Sequence, residues 1–260
     1  MPTPRAVRSP PVPRPPLLLL PPSEGKAPGG RPPGRADGFA TELESHRARV
    51  RAELGSASAV RDPARRSALL GVRGELLDRA MAATAALIEG TAPVLPAWRR
   101  YTGVVWAALD PATVPAADRR RVLVPSAVYG ITTAADPVAD YRLKMSVVLG
   151  RLGRLSTFWR PHLTGALVDR ARGRVVLDLL PAEHAHAIDW TVLAGVSRVV
   201  HVRFVGADGG RAVGHEAKSA KGRLARLLLD GGLGAVPGFD ADGWTASGVG
   251  DLITVGAPAR

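Results

Sequence analysis

The sequence predicts an α+β (mixed α/β) fold, with a mixed sheet and flanking helices in a single compact domain. Short apolar runs typical of buried strands, such as residues 17–20 and 175–180, occur between longer segments with apolar residues at helical spacing. These segments do not follow a steady βαβ alternation, which favours a mixed architecture. The chain has 260 residues, of which 46% are hydrophobic, and this is enough for one large domain.

The ends of the chain differ in composition from its centre. Residues 1–16 contain seven prolines and three arginines without apolar periodicity, so we predict a disordered extension there. We expect the folded domain to span residues 17–252 and residues 253–260 to form a flexible tail.

The first half of the domain predicts one strand and two helical regions. Residues 17–20 predict a buried strand, and residues 27–38 form a loop rich in Gly and Pro. Apolar residues then recur at helical spacing between residues 39 and 54 and again between residues 69 and 87.

The second half predicts further strands and a last helix. The segment 95–110 is expected to be a loop that enters a strand or short helix, and short strands are expected within 120–130 and 173–181. Residues 198–205 alternate in polarity before an Ala-Asp-Gly-Gly turn, which predicts a β-hairpin. Residues 217–230 predict an amphipathic helix that two glycines close.

Composition excludes several classes of protein and indicates a partner. The chain has no cysteine, which excludes disulfides, thiolate metal sites and cysteine nucleophiles. No apolar run has the length of a membrane span or a secretory signal, so we expect a cytoplasmic protein without a membrane partner. The formal net charge of +12 indicates an anionic partner such as nucleic acid, or else the surface arginine that GC-rich genomes encode.

Lysine is rare and confined to three short segments. Of the 35 basic residues only four are lysines, and they lie in the segments PPSEGK, YRLKM and EAKSAKG. They are Lys26, Lys144, Lys218 and Lys221. Because an ammonium is a compact charge whose pKa can shift, these segments are candidates for function.

The segment PPSEGK follows the first predicted strand. It lacks the glycine and the hydroxyl residue that a Walker A loop needs around its Gly-Lys pair. It does place Ser23, Glu24 and Lys26 at the carboxyl end of a strand, where ligands often bind. An ordinary capped turn is the alternative.

Three further patterns carry weaker signals. Residues 69–80 have a Gly-Val-Arg-Gly turn similar to a helix-hairpin-helix, although one helix with two glycines is favoured. Residues 140–174 hold nine basic groups with Phe158 and Trp159 among them, suited to nucleic acid or to a solvated surface. His184 and His186 lack a third ligand at a recognised spacing, so no metal site is predicted.

In combination, these motifs resemble the YaaA family of peroxide stress proteins, in particular its actinobacterial branch. The resemblance covers residues 17–250. Its motifs, in chain order, are PPSEGK, YTG at 101–103, YG at 129–130, YRLKM at 141–145, FW at 158–159, the segment 180–183 and AKSAKG at 217–222.

The resemblance implies a role in surviving hydrogen peroxide by keeping free iron low. It also implies a compact mixed α/β fold with a positively charged cleft, a helix-hairpin-helix-like element and DNA binding, but no established reaction. This chain departs from the family pattern at its irregular hairpin, at Ala127 and Val128, and in the Glu-His-Ala-His run at 183–186.

We therefore assign a basic cleft that binds DNA and serves the oxidative stress response. Its expected phosphate partners are Lys26, Arg142, Lys144, Lys218, Lys221 and Arg226. Ser23 and Glu24 are expected to orient Lys26, whereas Tyr101, Tyr141 and Trp159 are expected to stack or pack. We expect no cofactor and a monomer.

The alternative is an enzyme that acts on a nucleotide or nucleic-acid group. In that case Glu24, Lys26 and Lys144 would share a pocket in which the pKa of a lysine is lowered toward a nucleophilic or general-base role. An open groove with solvated lysines would favour DNA binding, and a buried lysine would favour the enzyme. A third option is a basic protein whose motifs only maintain the fold.

Overall fold

The computed structural model describes residues 14–34 and 39–258, apart from the side chains of Ala40 and Val249. The predictions for residues 1–13, 35–38 and 259–260 lie outside this part of the chain. The strands are β1 (Leu17–Leu19), β2 (Val94–Pro96), β3 (Val122–Ser126), β4 (Gly130–Thr133), β5 (Pro137–Ala139), β6 (Val148–Leu149), β7 (Gly153–Arg154), β8 (Val175–Asp178), β9 (Arg198–Val205), β10 (Asp240–Ala241), β11 (Trp244–Val249) and β12 (Leu252–Gly256).

The helices connect these strands and cover the sheet. They are α1 (Ala40–Ser58), α2 (Pro63–Leu70), α3 (Glu75–Glu89), α4 (Ala97–Arg100), α5 (Val104–Leu109), α6 (Ala116–Arg119), α7 (Leu155–Ala171), α8 (Ala182–Ala185), α9 (Trp190–Ala194) and α10 (His215–Gly231). Two 3-10 helices lie at Gly150–Leu152 and Gly232–Gly238.

The main sheet is mixed, which confirms the predicted fold class. Its strand order is β10-β11-β12-β9-β8-β1-β3-β4. The five central strands β12, β9, β8, β1 and β3 run parallel, and antiparallel strands close both edges. All four leucines of the run 17–20 are buried, as expected for a central parallel strand that is covered on both faces.

Close packing of two helices explains the glycine that follows Lys221 in the last lysine segment. Gly222 lies inside α10, where a glycine usually weakens a helix by about 1 kcal/mol. A Cβ atom at this position would overlap the carbonyl oxygen of Val105 in α5. The glycine therefore lets α10 approach α5 closely.

Three expectations are wrong in this structure. Residues 198–205 form β9, but its ladder partners are the parallel strands β8 and β12, and only a single bridge joins Val205 to Arg211 beyond the turn. Residues 253–256 lie in β12 and not in a tail. Residues 69–80 form no single helix, because Gly71 ends α2 in a left-handed conformation with φ of 68° and α3 begins after Gly74.

Within residues 14–34 and 39–258, no helix has both the length and the apolar character that crossing a membrane requires.

Candidate functional site

The sheet has a topological switch point between β1 and β8. These two strands are neighbours, but the chain leaves β1 for β3 on one side and leaves β8 for β9 on the other. The loops that follow them therefore diverge at the carboxyl edge, where open α/β sheets commonly bind ligands. The loop after β1 contains the segment 21–26, and the segment 179–184 after β8 consists of a short loop and the first residues of α8.

The segment 141–146 contacts both of these loops. Lys144 Nζ lies 3.3 Å from Glu24 Oε1 of the first loop. Two residues later, the backbone N–H and the hydroxyl group of Ser146 donate to Glu183 Oε1, at the start of α8 just after the second loop, at 3.1 and 3.0 Å. The YRLKM motif therefore lies at the switch point and joins its two sides.

Lys26 is buried next to this segment. Its residue is 8% exposed, and its ammonium donates to the backbone carbonyl of Ser23 at 2.8 Å. Nζ lies 4.1 Å from the ring centroid of Tyr141 and 5.6 Å from that of Tyr101. Burial, followed by the nearby charge of Arg142, lowers the pKa of Lys26 to about 7, so a large share of this amine is neutral near pH 7.

The tyrosines beside Lys26 belong to a buried chain of hydroxyl groups. Ser126 Oγ lies 2.9 Å from Tyr141 Oη, which lies 3.2 Å from Tyr101 Oη. Burial raises the pKa of Tyr141 to about 12, and it raises the pKa of Tyr101 as well. Both phenols therefore stay protonated at neutral pH.

The three aromatic residues assigned to stacking or packing are enclosed by protein. Tyr101 and Tyr141 are each 2% exposed, and Trp159 is fully buried with its Nε1 donating to Ala127 O at 2.9 Å. Rings in this position cannot stack on bases, so all three pack.

The PPSEGK and YTG motifs contact each other in the structure, and Ser23 lies at this contact. Its side chain packs against Gly103, where a Cβ atom would overlap Ser23 Oγ. The neighbouring backbones also pair, since Thr102 N–H donates to Gly25 O at 3.1 Å and a β-bridge joins Lys26 to Tyr101. Ser23 Oγ is buried and has no hydrogen-bond partner among residues 14–34 and 39–258.

Arg100 holds the chain just after Lys26, and sequence reasoning missed it. This guanidinium is fully buried and donates to four backbone carbonyl groups. The acceptors are Ala27 O, Gly29 O at 2.9 Å, Pro93 O at 2.8 Å and Val138 O at 3.0 Å. Arg79 adds a bond from its guanidinium to Lys26 O at 3.2 Å.

The loop after β8 has its own polar cluster. Lys221 Nζ donates to Leu179 O at 2.8 Å, and burial lowers the pKa of Lys221 to about 8. Asp178 Oδ2 lies 2.8 Å from His201 Nδ1, and this hydrogen bond raises the pKa of His201. Burial lowers the pKa of His184 to about 4.

The turn between α2 and α3 lies against Lys144. A Cβ atom at Gly71 would lie 3.4 Å from Lys144 Cε, whereas Gly74 has open space around it. Both glycines have positive φ angles, 68° and 55°, which a residue with a side chain adopts at a cost. The turn therefore presents exposed backbone beside an exposed ammonium.

The remaining expected site residues lie further away. Arg226 donates to Asp230 Oδ2 at 2.7 Å and contacts Thr113 after α5, so it belongs to a packing contact of α10. Lys218 is exposed in the first turn of α10. The structure thus brings Ser23, Glu24, Lys26, Tyr101, Tyr141, Arg142 and Lys144 together, with Lys221 at the loop after β8.

Metal-ligating side chains do not cluster in the described ranges. No group of three or more His, Asp or Glu side chains is placed to hold a metal ion there.

Comparisons with known proteins match nearly the whole chain. The family model described as peroxide stress protein YaaA matches residues 17–247. A UPF0246 protein of Streptomyces coelicolor is 37% identical over 223 residues, which cover 82% of each chain. A UPF0246 protein of Corynebacterium glutamicum is 34% identical over 82% of this chain and 84% of its own, and one of Bacteroides thetaiotaomicron is 29% identical over 59% and 65%.

Proposed function

We propose that this chain, which belongs to the family of the peroxide stress protein YaaA, serves the response to hydrogen peroxide in the cytoplasm by binding DNA. The peroxide role comes from the family, whereas the DNA partner is proposed from charge and geometry. Limiting free iron is part of the proposal, but we assign no residues to it.

The observation that carries the DNA proposal is the contact between Lys144 and the α2–α3 turn. Lys144 is half-exposed and packs against Gly71, where its ammonium and the backbone of the turn face the same solvent. Turns of this type offer backbone N–H groups to a phosphate, and a neighbouring ammonium adds charge. Together they form a unit that would hold one strand of a duplex.

Charge extends this unit along the carboxyl edge of the sheet. Arg142 lies near Lys26, and Lys218 is exposed at the start of α10. With a formal net charge of +12, the chain attracts a polyanion at long range, and such attraction weakens as salt increases. The absence of cysteine also suits work under peroxide, because no thiol is available for oxidation.

Fluorescence anisotropy of labelled duplex DNA at several salt concentrations tests this proposal. The variant is Lys144→Ala, and the matched control is Arg198→Ala. The control removes the same charge from the first residue of β9. This residue lies at the amino ends of the parallel strands, opposite the carboxyl ends where Lys144 lies. We expect Lys144→Ala to weaken binding and to reduce the slope of log Kd against log salt by about one phosphate contact. Equal binding by the two variants would overturn the assignment.

A second candidate function is supported by the burial of Lys26. A residue that is 8% exposed cannot neutralise a DNA phosphate as a solvated lysine does, yet a buried neutral amine suits chemistry. We therefore propose that the switch point holds a reactive site for a nucleotide or nucleic-acid group. Product formation from nucleotides or DNA, followed by mass spectrometry, should be lost in Lys26→Met while DNA affinity is kept. Unchanged turnover in that variant would exclude Lys26.

A further inference from the structure

We propose that Lys26 is an amine nucleophile that forms an imine with an aldehyde carried by a ligand at the switch point between β1 and β8. This inference rests on the second candidate function above and names its chemistry. Four features of the site support it.

The first feature is the lack of an ion-pair partner. Glu24, the nearest carboxylate in the loop, pairs with Lys144, and Lys26 has no carboxylate within 4 Å among the described residues. The Nζ atom of Lys26 donates a hydrogen bond to the carbonyl group of Ser23. A carbonyl group accepts from a neutral amine as well as from an ammonium. A buried lysine without a counterion favours the neutral, nucleophilic form.

The second feature is the immediate surroundings of the amine. The rings of Tyr101 and Tyr141 lie next to it and keep water away, and the guanidinium groups of Arg142 and Arg100 add positive charge nearby. Burial and these charges together lower the pKa of Lys26 to about 7. Desolvation and a neighbouring cation are the two means by which proteins activate lysines toward carbonyl groups.

The third feature is a buried hydroxyl group without a hydrogen-bond partner. Ser23, whose carbonyl holds the amine, carries a buried hydroxyl group with no hydrogen-bond partner among the described residues. Two buried polar groups of one short loop are therefore incompletely satisfied at the carboxyl edge. Buried polar atoms of this kind often belong to a site that is completed by a ligand.

The fourth feature is the placement of the loop. Lys26 follows β1 at the position where the loops after β1 and β8 diverge, and the segment 141–146 spans the two. A ligand at this point would meet the amine on one side and two cations, the half-buried Arg142 and the exposed Lys144, on the other. An aldehyde that also carries phosphate fits that charge.

The proposed step balances without a further reactant. The nitrogen lone pair of Lys26 attacks the carbonyl carbon, and a proton passes from nitrogen to the carbonyl oxygen, so that the C=O bond becomes a C–OH bond. Loss of a proton from nitrogen and of the hydroxyl group, together as water, leaves a C=N bond between Lys26 and the ligand. No oxidant or reductant takes part, and hydrolysis returns the amine.

Two sources could supply a phosphate-bearing aldehyde. One is the ring-opened sugar at an abasic position in DNA, and the other is a free sugar phosphate. Two experimental arms distinguish them: a duplex with a single abasic position, and glyceraldehyde 3-phosphate. In each arm the full-length protein is treated at pH 7.5 with sodium cyanoborohydride, which reduces an imine to a stable amine.

Peptide mapping then locates the adduct. The chain contains only four lysines, so Lys144 and Lys218 serve as exposed internal controls within the wild-type protein. We expect labelling of Lys26 to exceed labelling of either control by about tenfold or more, because an ordinary lysine amine is almost fully protonated at this pH. The variant Lys26→Arg should lose the adduct, whereas Arg198→Ala, which removes a cation from the first residue of β9, should keep it.

The outcomes separate this inference from the proposed functions. If Lys144 and Lys218 are labelled more than Lys26 in both arms, labelling depends on solvent exposure alone, and the inference is overturned. Labelling of Lys26 by the sugar phosphate in a protein that fails to bind DNA supports it and removes the DNA proposal. Turnover that depends on Lys26 without any trapped adduct overturns it in favour of a general base.

Discussion

The ammonium group of Lys26 lies 4.1 Å from the centroid of the Tyr141 ring, inside the protein. A cation over an aromatic face gains about 2 kcal/mol when it is desolvated. Taking an ammonium out of water costs several kcal/mol, so the ring offsets only part of the cost. The lowered pKa of Lys26 agrees with this balance.

The pH dependence of stability should report the buried charge of Lys26. Its pKa falls from 10.5 to about 7 on folding, through burial first and then Arg142, while Asp140 and Glu24 oppose the change. The unfolded chain therefore binds more protons between pH 7 and 10.5, and stability rises with pH in that window. We expect Lys26→Met to raise the free energy of unfolding by about 2 kcal/mol or more at pH 6 and by less at pH 9.5.

Urea unfolding of both proteins at the two pH values measures this effect. The exposed Lys144→Met variant is the control, and it should change stability by no more than about 0.5 kcal/mol at either pH. A gain from Lys26→Met that is equal at pH 6 and pH 9.5 would show that Lys26 is not buried as a charge.

Substitution of Gly71 in the α2–α3 turn should lower both the stability of the protein and its affinity for DNA. Its φ of 68° costs an alanine about 1 kcal/mol, and the added Cβ atom would lie in van der Waals contact with Lys144, 3.4 Å from its Cε atom. Gly90 ends α3 with a φ of 74° and has open space around it, so Gly90→Ala is a matched control. We expect both variants to lose similar stability in thermal melts, and only Gly71→Ala to lose DNA affinity.

Equal DNA affinities for Gly71→Ala and Gly90→Ala would separate the turn from the DNA-binding surface. The comparison is informative because the backbone penalty is shared and only the contact with Lys144 differs.

Much of the fold followed from local patterns. The continuous run Leu17–Leu20 predicted a buried strand, because a strand covered on both faces needs no alternation. The alternation in β9 was misassigned to a hairpin, since alternation reports a half-buried face and not the direction of the neighbouring strand. At residues 69–80, apolar residues at helical spacing predicted one helix, but that spacing does not reveal that Gly71 ends α2 in a left-handed conformation.

The candidate site was only partly predictable. The lysine segments pointed to the loops at the carboxyl edge, but the burial of Lys26 depends on Tyr101 and Tyr141, which are distant in sequence. Arg100 gave no signal, because it is one of 31 arginines and its carbonyl acceptors lie in four separate positions along the chain. Such contacts arise from tertiary structure alone.

The carboxylate of Asp178 should control the pKa of His201. The hydrogen bond that Asp178 accepts from the imidazole raises the pKa of His201, so the stabilisation from this pair is present below the unfolded value of 6.5 and is lost as pH rises through the folded value. We expect Asp178→Asn to lower the pKa of His201, measured by NMR titration of its imidazole protons. An unchanged titration would show that the carboxylate does not hold the ring in solution.

Arg100 should be the most sensitive position in the support of Lys26. Its guanidinium satisfies four buried carbonyl groups, among them Ala27 O and Gly29 O in the chain just after Lys26. Removing the donor leaves these acceptors unpaired at about 1–3 kcal/mol each, so Arg100→Ala should lose about 3 kcal/mol or more of unfolding free energy. The neighbouring Arg99 is exposed, and Arg99→Ala should lose no more than about 0.5 kcal/mol.

The variant Arg100→Lys separates charge from geometry at this position. It keeps a cation, but a single ammonium cannot reach four carbonyl groups that a planar fork binds together. We therefore expect Arg100→Lys to resemble Arg100→Ala in urea unfolding, with the loop after Lys26 more open to amide hydrogen exchange. Because Ala27 N–H donates to Arg100 O at 2.9 Å, its exchange rate follows this contact directly. If Arg100→Lys keeps the unfolding free energy and the amide exchange rate of the wild type, a positive charge alone is enough to hold the loop.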